Sequence, residues 1–173
     1  MTQKSTPRAA IIGLFLFLAA ALCAVAPLPL VLRSAGVLLF SYATFAFSGT
    51  SFALFTALVA PAVGLLSGDG DWLVMLPIVL ASNLLGMLGL DYAWRYAAII
   101  VSPLLQIAPQ LASLVLPRQE LFEVQLPWDG TAPSWIALHG LIALLGVLGA
   151  LFLDRRADRR AAAESGAQQP GVN

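Results

Sequence analysis

Charge is what this chain has least of. Asp, Glu, Lys and Arg make up 10% of its 173 residues, against roughly 25% in soluble domains, and hydrophobic residues make up 60%. A soluble fold of this size could not hide so much apolar surface, so a lipid bilayer is the expected solvent. Lys4 is the only lysine, and no Gly-rich loop ends in Gly-Lys-Ser/Thr, so any nucleotide hydrolysis would have to come from a partner. The single Cys23 cannot form an internal disulfide or a thiolate zinc cluster. The one histidine, His139, cannot supply bis-histidine haem ligation or an H-E-x-x-H site, so no metal or cofactor is expected. A formal net charge of zero without a broad basic surface gives nucleic acid no purchase.

What the chain does have is apolar length. Ala9 to Ala26 forms an uninterrupted run after Lys4 and Arg8, longer than a signal-peptide core and followed at once by Pro27, and it reads as an uncleaved span. Ser34 to Leu66 would be about 50 Å long as one helix, too long for a roughly 30 Å hydrocarbon core. It should break at Ser48-Gly49-Thr50-Ser51. The resulting second and third segments, Ser34 to Phe47 and Phe52 to Leu66, are short. Thin spans and a re-entrant hairpin both fit them. A polar turn at Ser67 to Asp71 precedes a fourth span from Trp72 to Leu90. The aromatic and charged belt Asp91, Tyr92, Trp94, Arg95 and Tyr96 then leads into a fifth, ending at Leu116. In the next loop Phe122, Val124, Leu126 and Trp128 alternate as in a short extended segment, and Trp135 to Leu153 makes the sixth span. The expected fold is therefore an all-α integral membrane protein. A six-segment transmembrane helical bundle over residues 1–153 forms the single domain, and an Arg-rich, disordered cytoplasmic tail follows over 154–173.

Positive charge sets the expected orientation. With both termini cytoplasmic, Lys4, Arg8, Arg95, Arg155, Arg156, Arg159 and Arg160 lie inside, and only Arg33 and Arg118 lie outside. The expected location is the plasma membrane, or cell inner membrane, with the lipid bilayer as the first partner.

Polar residues inside the spans mark the candidate site. Ser102, Gln106, Gln110 and Ser113 share one face of the fifth segment, where Pro103 and Pro109 also fall. Asn83 lies about 16 Å into the fourth segment and Gln106 about 15 Å into the fifth, so both fall near mid-membrane and could meet. Two readings are open. These residues could line a cavity for a small polar, uncharged solute, or they could bond helix to helix. His139 joins the candidate substrate-binding residues. It also starts a small-residue stripe with Ala143, Gly146 and Ala150, suited to close approach of another membrane protein or a second copy. Neutral amides recognise solutes but supply neither base nor nucleophile, so an enzyme is not expected.

A chain of six spans and this length, without a nucleotide site of its own, is similar in size and layout to the substrate-binding components of energy-coupling-factor importers. That resemblance implies small-solute binding or translocation with a partner. In span number, length and apolar texture the chain also resembles the rod-shape-determining MreD family, which implies a non-enzymatic scaffold that binds other membrane proteins. Gly49-Thr50-Ser51 together with Leu138-His139-Gly140 resembles the serine and histidine triplets of intramembrane rhomboid proteases and would imply a hydrolase. The predicted turn, however, puts Ser51 inside and His139 near the outer surface.

Overall fold

A computed structural model describes residues 6–93, 96–115 and 131–167, with side chains to residue 156 in the last stretch. The expected Phe122 to Trp128 extended segment, Trp94 and Arg95 of the aromatic belt, and the charges at Lys4 and Arg118 fall outside those residues. Helix follows helix along the chain: α1 Pro7–Val25, α2 Leu30–Ser48, α3 Thr50–Val63, α4 Gly70–Tyr92, α5 Ala98–Val115 and α6 Ala132–Ala167. A 3₁₀ turn, Gly64–Ser67, continues α3. Counting that turn with α3, all six are long and apolar enough to cross a membrane, and no strand occurs among the described residues.

Local chemistry sets the boundaries. The Thr6 hydroxyl accepts from the Ala9 N–H at 3.3 Å, and Pro7 occupies the first turn, where its missing N–H costs nothing. Pro27 and Pro29 force the residues before them out of helical geometry, so α1 stops at Val25 and α2 starts at Leu30. The second segment is thus corrected: it has 19 residues rather than the short run from Ser34, because Arg33, which looks like an interfacial charge, is accommodated inside the helix bundle. The break at Gly49 is where the turn-forming residues predict it. Gly49 has φ 89°, a conformation costly for other residues, and it alone separates α2 from α3. With its 3₁₀ turn the third segment reaches 18 residues, so neither piece needs to be re-entrant to fit its length. Asp69 caps α4 by accepting from the Asp71 N–H at 3.0 Å.

The end of α6 differs from expectation. The helix runs for 36 residues, about 54 Å, continuing through Ala167 where a disordered tail is predicted from Asp154. The Ala- and Arg-rich sequence after Leu153 consists largely of good helix formers, and extending an existing helix avoids the cost of nucleation.

α2 is the hub, packing against α1, α3, α4 and α6, while α4 and α5 form a close pair and α5 also meets α6. The main core joins Leu38 and Tyr42 of α2, Ala53 and Ala57 of α3, Met87 and Leu90 of α4, and Ala143, Val147 and Ala150 of α6. Ala143 and Ala150 of the small-residue stripe of α6 are thus buried within the chain. A Cβ at Gly146 would lie 2.4 Å from Cγ of Tyr42, so this glycine lets α6 close on α2. Ile11, Leu14, Phe15, Leu18 and Leu22 of α1 stay exposed, a surface suited to lipid.

Candidate functional site

The polar face of α5 turns inward as its spacing predicts. Ser102, Gln106 and Gln110, one helical turn apart, are all buried, and α5 runs through Pro103 and Pro109 without interruption. Across from them α4 supplies Ser82, Asn83 and Gly86. The Gln106 Nε2 donates to Asn83 Oδ1 at 3.2 Å, so the two amides expected to share a depth do meet. Asn83 Nδ2 in turn reaches the Ala57 carbonyl of α3 at 3.5 Å, and Gln110 Nε2 reaches Ser82 Oγ at 3.5 Å; both are long contacts.

Ser102 makes the shortest of these links, donating to the Gly86 carbonyl at 2.7 Å. That uses its only proton, so the Tyr42 hydroxyl, 2.8 Å away, is the donor to Ser102. The seam therefore ties four helices, α2 to α5. Glycines permit the closeness. A Cβ at Gly89 would lie 3.0 Å from the Ser102 Cα, and one at Gly86 would lie 2.2 Å from Gln106 Oε1. Ser113 does not extend the seam: it is half-buried and donates to the Gln110 carbonyl of its own helix at 2.7 Å.

Three buried polar atoms among the described residues lack a hydrogen-bond partner: Thr56 Oγ1 on α3, and Gln106 Oε1 and Gln110 Oε1 on α5. Buried polar atoms in folded proteins are paired in the large majority of cases, so these three are exceptions, two of them on the inward face of α5. The two amide oxygens only accept, and the threonine hydroxyl can do either. Nothing in the seam is ionised. No three His, Cys, Asp or Glu side chains come together as a metal site among the described residues.

His139 lies elsewhere. It is buried rather than snorkelling to an interface, with Nε2 2.9 Å from Ser34 Oγ of α2 and Nδ1 2.8 Å from the Trp135 carbonyl. The Ser51 of the rhomboid-like triplet is exposed at the start of α3, and the serine at His139 is Ser34. Ser34 and Gly49 stand near opposite ends of α2, about 22 Å apart, so the Ser51 and His139 pairing does not form.

Sequence reading missed two participants. Tyr42 gave a usable signal, since a tyrosine deep in an apolar helix needs a partner for its hydroxyl. Arg33 gave a weaker one. Its guanidinium is buried, donates to the Ala24 carbonyl and Ser67 Oγ, pairs with Asp69, and stacks 4.4 Å over the Trp72 ring. The Trp72 Nε1 donates to the Pro61 carbonyl at 2.9 Å, so one cation and one indole bind together the end of α1, the start of α2, the 3₁₀ turn and the start of α4.

Compared with known proteins, the chain matches no family model, no curated protein and no solved structure.

Proposed function

We propose that this protein is a multi-pass membrane component that binds a small, polar, uncharged solute at the seam between α3, α4 and α5 and passes it on with the help of a partner protein. The observation that carries this reading is the pair of buried amide oxygens, Gln106 Oε1 and Gln110 Oε1, left without donors one helical turn apart on α5. A solute rich in N–H or O–H groups would meet them, whereas an anion would face acceptors. The chain carries no nucleotide-binding motif, so energy would come from elsewhere, as in the layout of energy-coupling-factor importers. Amides and hydroxyls without a base or an activated nucleophile keep the reading non-enzymatic. Both termini are placed in the cytoplasm and the bundle in the plasma or inner membrane on the distribution of arginine.

A second reading, a non-enzymatic scaffold of the MreD-like kind, draws on the Gln106 to Asn83 bond, which on its own is adequate interhelical glue. One experiment separates them. The purified protein in nanodiscs is screened against neutral polyols, amides and nucleosides for a thermal shift, beside the Gln106→Leu variant. A shift that the variant loses while keeping its own fold supports solute binding. No shift in either protein, together with a stoichiometric membrane protein that co-purifies, supports the scaffold.

A further inference from the structure

The contact between α2 and α6 holds a histidine whose hydrogen bonds close in two different protonation states. The Trp135 carbonyl can only accept, so Nδ1 of His139, 2.8 Å from it, carries a proton. Nε2 then faces Ser34 Oγ at 2.9 Å, and Ser34 Oγ lies also 3.1 Å from the Val31 carbonyl. The serine hydroxyl thus has two acceptors within reach. With a neutral imidazole it donates to Nε2; with an imidazolium it turns to Val31 and accepts from Nε2–H. Neither state leaves a buried donor stranded, and no backbone has to move.

We infer that His139 and Ser34 form a reversible proton-binding site inside the bundle, with the serine hydroxyl as the rotor that accommodates the added proton. A second observation points the same way. The imidazole lies flat on the Trp135 indole, with ring centroids 5.0 Å apart and planes 8° apart, and an aromatic face attracts a cation.

Among the described residues no other charged group faces the imidazole. On α2, Arg33 precedes Ser34 but turns its guanidinium to Asp69, Ser67 and the Ala24 carbonyl. Tyr42, also on α2, is two turns away and bonded to Ser102. α5 carries no ionisable side chain from Ala98 to Val115. On α4, whose Met75 and Val79 pack with Trp135, Asp69 is paired with Arg33 and Asp71 is exposed, while Asp91 and Tyr92 lie at the far end. Asp154 and Arg155 of α6 itself are also at the far end from His139.

Because His139 is the only histidine, the test needs no resonance assignment. Protein labelled with ¹⁵N-histidine, purified through a tag without histidine and held in lipid nanodiscs, is titrated from alkaline to acid pH. The expected spectra show a protonated Nδ1 and bare Nε2 at alkaline pH. Acidification should then protonate both nitrogens while circular dichroism and tryptophan emission stay native. Ser34→Ala, which removes the acceptor for Nε2–H, should move that midpoint down by about one pH unit, and Ser34→Thr should restore it. An imidazole that stays neutral until the helices unfold would overturn the proposal, as would a Ser34→Ala midpoint equal to the wild type's.

Discussion

The side-chain oxygen of Gln106 occupies the place where a Cβ on Gly86 would be, only 2.2 Å from that position. α4 and α5 therefore approach each other as closely as a bare Cα allows, and the polar seam exists because one helix gives up a side chain where the other brings an amide. Gly86→Ala should force Gln106 aside and break its bond to Asn83. The expected cost is about 1–3 kcal/mol, as for other insertions into packed interiors, read as a lower midpoint in denaturant unfolding from micelles.

Gly146 and Gly149 offer a matched comparison on one helix. A Cβ at Gly146 collides with the Tyr42 ring, whereas nothing lies within 4 Å of one at Gly149. Gly146→Leu should lower thermal stability sharply and reduce the yield of folded protein, while Gly149→Leu should leave both near wild type. If Gly146→Leu instead changes only the oligomeric size, the stripe serves contacts between chains.

Tyr42→Phe removes the donor to Ser102 but leaves the Ser102 to Gly86 bond in place. A loss of about 0.5–1.5 kcal/mol is expected, since no buried donor is left unpaired. Ser102→Ala should cost more, because it strands the buried Tyr42 hydroxyl, while the Gly86 carbonyl keeps its bond within α4. Equilibrium unfolding of the two variants gives the order directly.

Asp69→Asn keeps the cap on α4 but removes the negative charge facing the buried Arg33. Asp69 is partly exposed, so the expected destabilisation is about 1–2 kcal/mol rather than the 3–5 kcal/mol typical of wholly buried pairs. Adding Arg33→Met should recover part of the loss, because the uncompensated cation then disappears. Thermal unfolding of the single and double variants would show it, and a double variant weaker than Asp69→Asn would mean that the Arg33 bonds to Ala24 and Ser67 dominate.

Orientation is open to a direct check. Reporters fused after Leu66 and after Leu116 should both be external, with both termini internal. An internal reporter after Leu116 would reverse the arrangement inferred from arginine placement.

Much of this was legible from the sequence because it depends on short-range rules. Gly49 stands where a 33-residue apolar run had to break, and the four-residue spacing of Ser102, Gln106 and Gln110 fixed a common face before any neighbour was known. The meeting of Asn83 and Gln106 followed from equal depth. An isolated arginine beside an apolar run ordinarily marks an interface, so the burial of Arg33 is not legible in the sequence; its partners at Ala24, Ser67 and Asp69 come together only through the fold. His139 reads as a candidate solute-binding residue from its place in a span; the helix that meets it is α2, and nothing in the spacing of α6 says so. The run of α6 past Leu153 was hidden by its polarity, which resembles a solvated tail although its helix propensity is high.

The single-residue joint at Gly49 also bears on how the chain is made. If α2 and α3 both cross a bilayer, the single residue between them would make them enter it together. They would enter as one hairpin with the short polar turn Ser48-Gly49-Thr50-Ser51 at its tip. A substitution at Gly49 would then be felt first during biogenesis, as chains caught with a single long helix, before it was felt as a loss of stability in the finished protein.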